Sequence, residues 1–456
     1  MIYPRLLLAK NLLAEKGVIF ISIDDNEIEN LCNVCNEIFG KSNFAGIIPY
    51  RKRTTKTDVP FGISQDYEWI VVYAKSSLFF AGVPVERKYY TSPDYPNDRW
   101  RLSDLTTQKI ESQRPNSAFN LVDPKTGKEY KYNPKRLWAI TKDTFMDYYL
   151  RGKIVFPDDY SFLNISIPAY RVFESEDQKK TMEKYGTKDP LKSVSTVLPT
   201  EVGMNETASK EIDELMGDKV FTFPKPTNLI KYLIQTIHNP NALILDFFSG
   251  SSTTAHSVFK ANIEDMGKRS FIMIQLPEAC DEKSEAKKAG YNSICDLGEE
   301  RIRRAGKKIK EEAGLMADGL DIGFRVFKID DSNMKDIYYR PDEFQKDLLS
   351  DVESNIKEDR TPEDLLFQVM IDDLGIPLSA KIETLDIHGK KVFNVEDGHL
   401  VACFDSGVTD EVITAMAKLE PNYAVLRDSS YESDSVAVNF EQIFMKYSPA
   451  TETKIL

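Results

Sequence analysis

The stretch NALILDFFSGSSTTAHSVFKA, residues 241–261, decides how the rest of the chain is read. An apolar run, Leu243 to Leu245, meets Asp246 and two phenylalanines; small and hydroxyl residues follow, and then apolar residues recur at helical spacing. That order predicts a strand, a tight loop and a helix N-terminus, where free backbone N–H groups suit an anion or a cofactor. Three chemistries compete for the loop. A phosphate-binding P-loop needs GxxxxGK[ST], and no lysine follows Gly250, which disfavours a nucleoside triphosphate. A nucleophile elbow needs GxSxG; here the second glycine is missing, and His256 follows too soon on the same helix to act as base. What remains is a strand-end carboxylate and a close-approach glycine beside a helix N-terminus. This suits a small ligand with a carboxylate, an amine and a ribose, of which S-adenosylmethionine is one.

Working outward, the chain alternates helix and strand. YPRLLLAKNLLA (3–14) predicts a helix, GVIFISI (17–23) a buried strand, and DDNEIENLCNVCNEIFG (24–40) a helix capped by Asp25 and ending at Gly40. AGIIPY (45–50) and YEWIVVYAK (67–75) read as further strands. From Tyr89 to about Val202 the periodicity fails, and Pro, Asn, Asp and Tyr are frequent, as in an insertion with its own task. The α/β pattern resumes with PTNLIKYLIQTIH (226–238), the opening strand and helix, SFIMIQL (270–276), and a helix ending at Gly314. A separate α/β unit follows. The expected segments are therefore 1–88, 89–202, 203–314 and 315–456.

Composition bounds the class. The 456 residues are 41% hydrophobic, enough for two or three cores, and neither a signal-like N-terminus nor a run of membrane-spanning length is present. A cytoplasmic protein is expected. The five cysteines are scattered, and Cys32 and Cys35 lie within a helical pattern, so core thiols are expected rather than a metal site. The net charge of −13 is uneven: residues 315–456 hold 14 of the 59 basic residues and 29 of the 72 acidic ones, so the upstream part is nearly neutral. Within 101–200 there are 17 basic and 13 acidic residues. RKRTTK (51–56) and DPKTGKEYKYNPKR (123–136) are basic clusters that read either as solvated loops or as contacts to a phosphate backbone.

DFFSGSSTT (246–254) resembles the FxGxG cofactor motif of amino-methylating DNA methyltransferases, in the permuted class where this motif follows the catalytic half. MIYPRLLLAKNLLAEKGVIFISIDDNE (1–27), VDPKTGKEY (122–130), FTFPKPTNLIKYLI (221–234) and RSFIMIQLPE (269–278) together resemble the modification (Mod) subunit of Type III restriction-modification systems. The resemblance implies a Rossmann-like, mostly parallel α/β methyltransferase sheet using S-adenosylmethionine, an inserted target-recognition region at 89–202 and a small acidic C-terminal domain for dimer or partner contacts. It implies an adenine N6-methyltransferase acting on double-stranded DNA, a Mod homodimer and a helicase-nuclease partner. Cytosine N4 methylation and a non-catalytic DNA-recognition module are the alternatives.

By position, Asp246, Phe248, Ser249 and Gly250 would line the cofactor, with Thr253 and Thr254 at the helix start. Gln275 stands where an acid is expected on the ribose side, and Lys225 and Pro226 would close the pocket. Ser252 replaces a glycine common in the motif, and a serine fits there if its φ is negative, so that the change lowers cofactor affinity at most. SQDYEWIVVYAK (64–75) resembles the strand near the flipped base, so Tyr67 or Trp69 is either a stacking partner for an extruded adenine or a strand-core aromatic. Arg51, Lys52, Arg53 and Lys56 would meet the DNA backbone. The [DNS]PP[YFW] catalytic tetrapeptide is absent from the chain, and in the family it lies upstream of the segment matching MIYPRLLLAK. The expectation is a chain that starts after its own catalytic strand and does not methylate DNA alone.

Overall fold

Strand-forming VIFISI and YEWIVVYA, rich in β-branched and aromatic residues, become β1 (Val18–Ile23) and the central strand of a three-stranded sheet. The elements before it are α1 (Ile2–Leu12), α2 (Ile28–Phe39) and β2 (Phe44–Arg51), and the central strand is β3 (Tyr67–Ala74). The computed structural model describes residues 2–55, 60–217, 219–335 and 356–456. Its two compact units are Met1–Arg325 and Val326–Leu456. Alternation along β3 sends Val71 and Tyr73 under α1 and α2, against Leu6, Leu31, Cys35 and Phe39. It sends Ile70 and Val72 to the other face, against Ile48, Tyr50 and Leu233. Burial on both faces explains why the strand is continuously apolar from Trp69 onward.

The mostly parallel sheet expected from sequence is not what these strands form. Order is β1-β3-β2, and β3 runs antiparallel to both neighbours. The α2 crossover carries β1 and β2 in one direction, and β3 lies between them and runs the other way. The expected Asp25 cap is also absent. The N-cap of α2 is Glu27, without a side-chain bond. Asp24 instead accepts the Asn26 N–H at 3.1 Å and its side-chain amide at 2.8 Å.

β4 (Val83–Pro84) comes just before the expected insertion, which contains β5 (Tyr90–Ser92), β6 (Tyr95–Ser103), β7 (Leu121–Val122), β8 (Glu129–Tyr130), α3 (Lys142–Leu150), β9 (Ile154–Val155), β10 (Ala169–Phe173), α4 (Glu174–Tyr185) and β11 (Leu191–Lys192). β4 pairs with β11, drawing entry and exit together. Leu198 and Val202 lie beyond this neck and pack with β2 and β3. The sheet β5-β6-β10-β9 surrounds Arg171, whose guanidinium carbon is 4.4 Å from the Trp100 ring centroid and 4.5 Å from that of Tyr95. Arg171 donates to Gly152 O at 3.0 Å and Tyr160 Oη at 2.6 Å, a fully built cation–aromatic box. VDPKTGKEY is the β7–β8 hairpin, its turn closed by buried Asp123, which accepts Lys125 N–H at 2.9 Å and Thr126 Oγ1 at 2.5 Å.

Beyond the neck come α5 (Asn205–Met216), α6 (Thr227–Gln235), β12 (Leu243–Asp246), α7 (Thr253–Asp265), β13 (Ser270–Met273), α8 (Glu285–Lys288) and α9 (Ile294–Ala313). β12 and β13 pair in parallel, Leu243 opposite Ser270 and Asp246 opposite Met273, with α7 as the crossover. Leu320, Ile322 and Phe324 extend this core against Phe259 and Ile302. In the second unit, β14 (Ile382–Ile387), β15 (Lys390–Val395), β16 (Leu400–Cys403), β17 (Tyr423–Leu426) and β18 (Glu452–Ile455) form one mixed sheet in chain order. Apolar clusters cover it on both faces. No described helix is long and apolar enough to cross a membrane.

Candidate functional site

Asp246 ends β12 and ties the following loop to itself. Its Oδ1 accepts the Phe248 N–H at 3.2 Å and its Oδ2 accepts Thr254 Oγ1 at 2.6 Å, so one carboxylate links strand end to helix start. Ser249 anchors the loop to the neighbouring strand end, its N–H donating to Ile274 O at 3.2 Å. The Gly250 N–H donates to Gln275 Oε1 at 2.9 Å. Gln275 therefore uses its oxygen on the loop and keeps its amide hydrogens for an acceptor. Phe248 is 58% exposed, whereas Ser249, Thr253 and Thr254 are buried. Thr253 Oγ1 accepts from Arg301 at 2.8 Å, so both threonine hydroxyls build the loop from within. No side chain among the described residues caps the start of α7.

Gly250 has φ +50 and Ser252 has φ +58. The negative φ expected for Ser252 is thus not found; the left-handed turn that glycine favours is kept with serine in it, at a cost on the order of 1–2 kcal/mol. Turning the chain from β12 into α7 within so few residues requires both left-handed positions.

The FTFPKP segment spans two parts of the site. At one end, a Cβ on Gly250 would lie 3.4 Å from Cζ of Phe221. At the other, Lys225 forms an ion pair with Glu68, and its ammonium lies 5.4 Å from the Tyr50 ring centroid. Pro226 is buried as the N-cap residue of α6. Phe223, between these ends, is 80% exposed and has φ +61, a conformation costly for an aromatic residue. Glu68 sits between Tyr67 and Trp69 on β3. Tyr67 is 44% exposed and stands opposite Arg51 at the open end of the sheet. Trp69 is half-buried, between Pro49 and Ile23.

The basic residues divide into paired and open. Arg51 is exposed. Lys52 lies 3.6 Å from Glu68, and Arg53 donates to Gln65 O at 3.0 Å and lies 4.0 Å from Asp66. Lys56 lies outside the described residues. In the insertion, Lys125 and Lys128 pair with Asp159 and Asp158, each at 2.9 Å, and Arg136 pairs with Asp104. Much of the second basic cluster is therefore spent on local acids.

Sequence reasoning passed over a polar layer beneath the loop. Glu211 of α5 accepts Thr227 Oγ1 at 2.5 Å and pairs with Lys260 of α7. His256 is 4% exposed. Burial, and then the Arg301 charge, push its pKa down to about 3. Burial works against the Glu211 carboxylate and a charged His256 would favour it. With His256 neutral, hydrogen bonds from Lys260 and Thr227 keep that carboxylate ionised below its usual range. Burial also lowers the Arg301 guanidinium, to about 10, so it stays charged at neutral pH. No motif marked these residues; the only signal was polar residues on the inner face of amphipathic helices.

Known proteins place this geometry. The family described as DNA methylase matches residues 1–288. The chain is 33% identical over 333 residues to the Mod subunit of the Type III restriction-modification enzyme StyLTI of Salmonella typhimurium, which covers 72% of this chain and 47% of that protein. It is 29% identical over 481 residues to the EcoP15I Mod subunit of Escherichia coli, covering 95% of this chain and 68% of the subunit. The Type II methyltransferase M.KpnI of Klebsiella pneumoniae is 29% identical over 314 residues, 66% of this chain and 72% of that enzyme. The chain spans about half the length of the StyLTI subunit it matches. By the extent of the family match, the chain belongs to the N6/N4 DNA methylases.

Proposed function

We propose that the loop from Asp246 to Thr254 holds S-adenosylmethionine and that the chain is the modification part of a Type III system, directed at adenine N6 in double-stranded DNA. The observation that carries this is the FTFPKP segment, which reaches Gly250 through Phe221 and Glu68, between Tyr67 and Trp69, through Lys225. It links the cofactor loop to the end of β3, the strand that carries Tyr67 and Trp69, whose side chains alternate with Glu68 and so point to the other face. The loop fits the cofactor: Gly250 leaves space below Phe221 that a side chain would fill, and Gln275 and the first turn of α7 offer N–H donors. The cofactor supplies an electrophilic methyl group. Transfer of that group to the adenine amine, with loss of one amine proton, is the chemistry it would supply when held by this loop. Tyr67 or Trp69 would stack on the base, and Arg51 would meet the phosphate backbone.

On this reading the β12–α7–β13 unit is the cofactor half of a Rossmann-like methyltransferase, residues 89–202 recognise the target sequence, and the acidic second unit makes dimer or partner contacts. A homodimer, a helicase-nuclease partner and a cytoplasmic location complete the proposal. Calorimetry tests the cofactor site: Gly250→Leu should abolish S-adenosylmethionine binding, and unchanged affinity would remove the assignment. One observation favours a second reading, a DNA-recognition module without its own catalysis: the 456 residues contain no [DNS]PP[YFW] tetrapeptide. Without those acceptors the amine is not aimed at the methyl carbon. The purified chain should therefore bind DNA yet transfer no labelled methyl group, and transfer to adenine would overturn this.

A further inference from the structure

We propose that α9 is the brace that sets the shape of the cofactor loop, with Gly298 and Arg301 as its positioning residues. The proposal rests on the reading of this loop as the S-adenosylmethionine site. Gly298 and Arg301 are one turn apart on α9 and share a face, and both are buried. A Cβ at position 298 would lie 2.6 Å from Ser252 Oγ and 3.4 Å from Gly250 O. The missing side chain of Gly298 is thus the space in which the serine stands. Ser252 in a left-handed turn is sterically possible here because the helix behind it carries no Cβ.

Arg301 completes the brace. It is fully buried, and its Nη1 donates to Ser251 O at 3.2 Å, Ser251 Oγ at 2.7 Å and Thr253 Oγ1 at 2.8 Å. These acceptors flank Ser252 on both sides. Nε and Nη2 of Arg301 have no partner among the described residues. A buried guanidinium is costly to desolvate, and its single well-used nitrogen is aimed at the loop. The loop is therefore held in front by Asp246 and Gln275 and from behind by α9. Its shape does not depend on the ligand.

A cycle of variants in the full chain tests this. Gly298→Ala drives a methyl group into Ser252 and should weaken S-adenosylmethionine binding by about tenfold or more, measured by calorimetry. Ser252→Gly removes the obstructing hydroxymethyl, so the double variant should return to within about threefold of the parent affinity. Arg301→Lys, which keeps the charge but loses the planar fork, should fall between the parent and Arg301→Met. Urea unfolding of the same variants supplies the ligand-independent arm, in which Ser252 and Gly298 should be coupled. Uncoupled stabilities would overturn the brace itself. Coupled stabilities with unchanged affinities would show a merely structural contact and overturn the positioning role. A parent chain that shows the coupling but binds no cofactor would instead overturn the reading of the loop, and with it the role assigned here.

Discussion

Lowering the pH from 7.5 to 5.5 should destabilise the first unit by about 1.4 kcal/mol through His256 alone. The imidazole is buried, and the charges facing it are mostly cations: Arg301 and Lys308 from α9 and Lys260 from its own helix, against Glu211 from α5. Burial and these cations hold its folded pKa at about 3, below the ordinary 6.5. The folded state therefore keeps His256 neutral while the unfolded chain takes up a proton below pH 6.5. Stability is complete above that value and is lost progressively as the pH falls from about 6.5 towards 3. Glu211, whose pKa is also lowered, adds its loss only at more acid pH, below the usual range of a glutamate. Trp69, Trp100 and Trp138 are the three tryptophans of the chain and all lie in the first unit, so their fluorescence reports its urea unfolding. The parent and His256→Gln should be compared at both pH values. The variant should lose less stability on acidification than the parent, by about that 1.4 kcal/mol; equal pH dependence in the two proteins would refute the argument.

Ser252→Gly should stabilise the first unit by about 1 kcal/mol in urea unfolding, since it relieves the left-handed serine and removes no hydrogen bond on which the loop depends. Arg171→Ala should cost the insertion on the order of 3 kcal/mol, because it empties the box of Tyr95, Trp100 and Tyr160; near-ultraviolet circular dichroism, which reads those aromatic rings, should show an earlier transition. Arg51→Ala should weaken DNA binding alike for all sequences and lower the salt-dependence slope by about one. Lys52→Ala and Arg53→Ala should change that slope less, since both side chains already meet protein acceptors.

The loop from Asp246 to Thr254 was legible in sequence because it is local. Strand, hydroxyl-rich turn and helix follow each other within 241–261, and the apolar periodicity of each piece survives without knowledge of any neighbour. The same holds for the end of α9 at Gly314. What the amino-acid order alone determined is therefore which stretches become strand, helix or turn, to within a few residues at their ends.

Tertiary structure decided the rest, because it depends on residues far apart in the chain. The antiparallel placing of β3 between β1 and β2 is a choice among pairings that the strands themselves permit equally. The sign of φ at Ser252 is set by how sharply β12 must turn into α7 and by the space at Gly298. The polar layer of Glu211, His256, Lys260 and Arg301 comes from three helices, and no motif marks its members. Lys225 shows the division most clearly: its place before a helix can be read from FPKP, but its partner Glu68 lies 157 residues away, and only folding brings the two charges together.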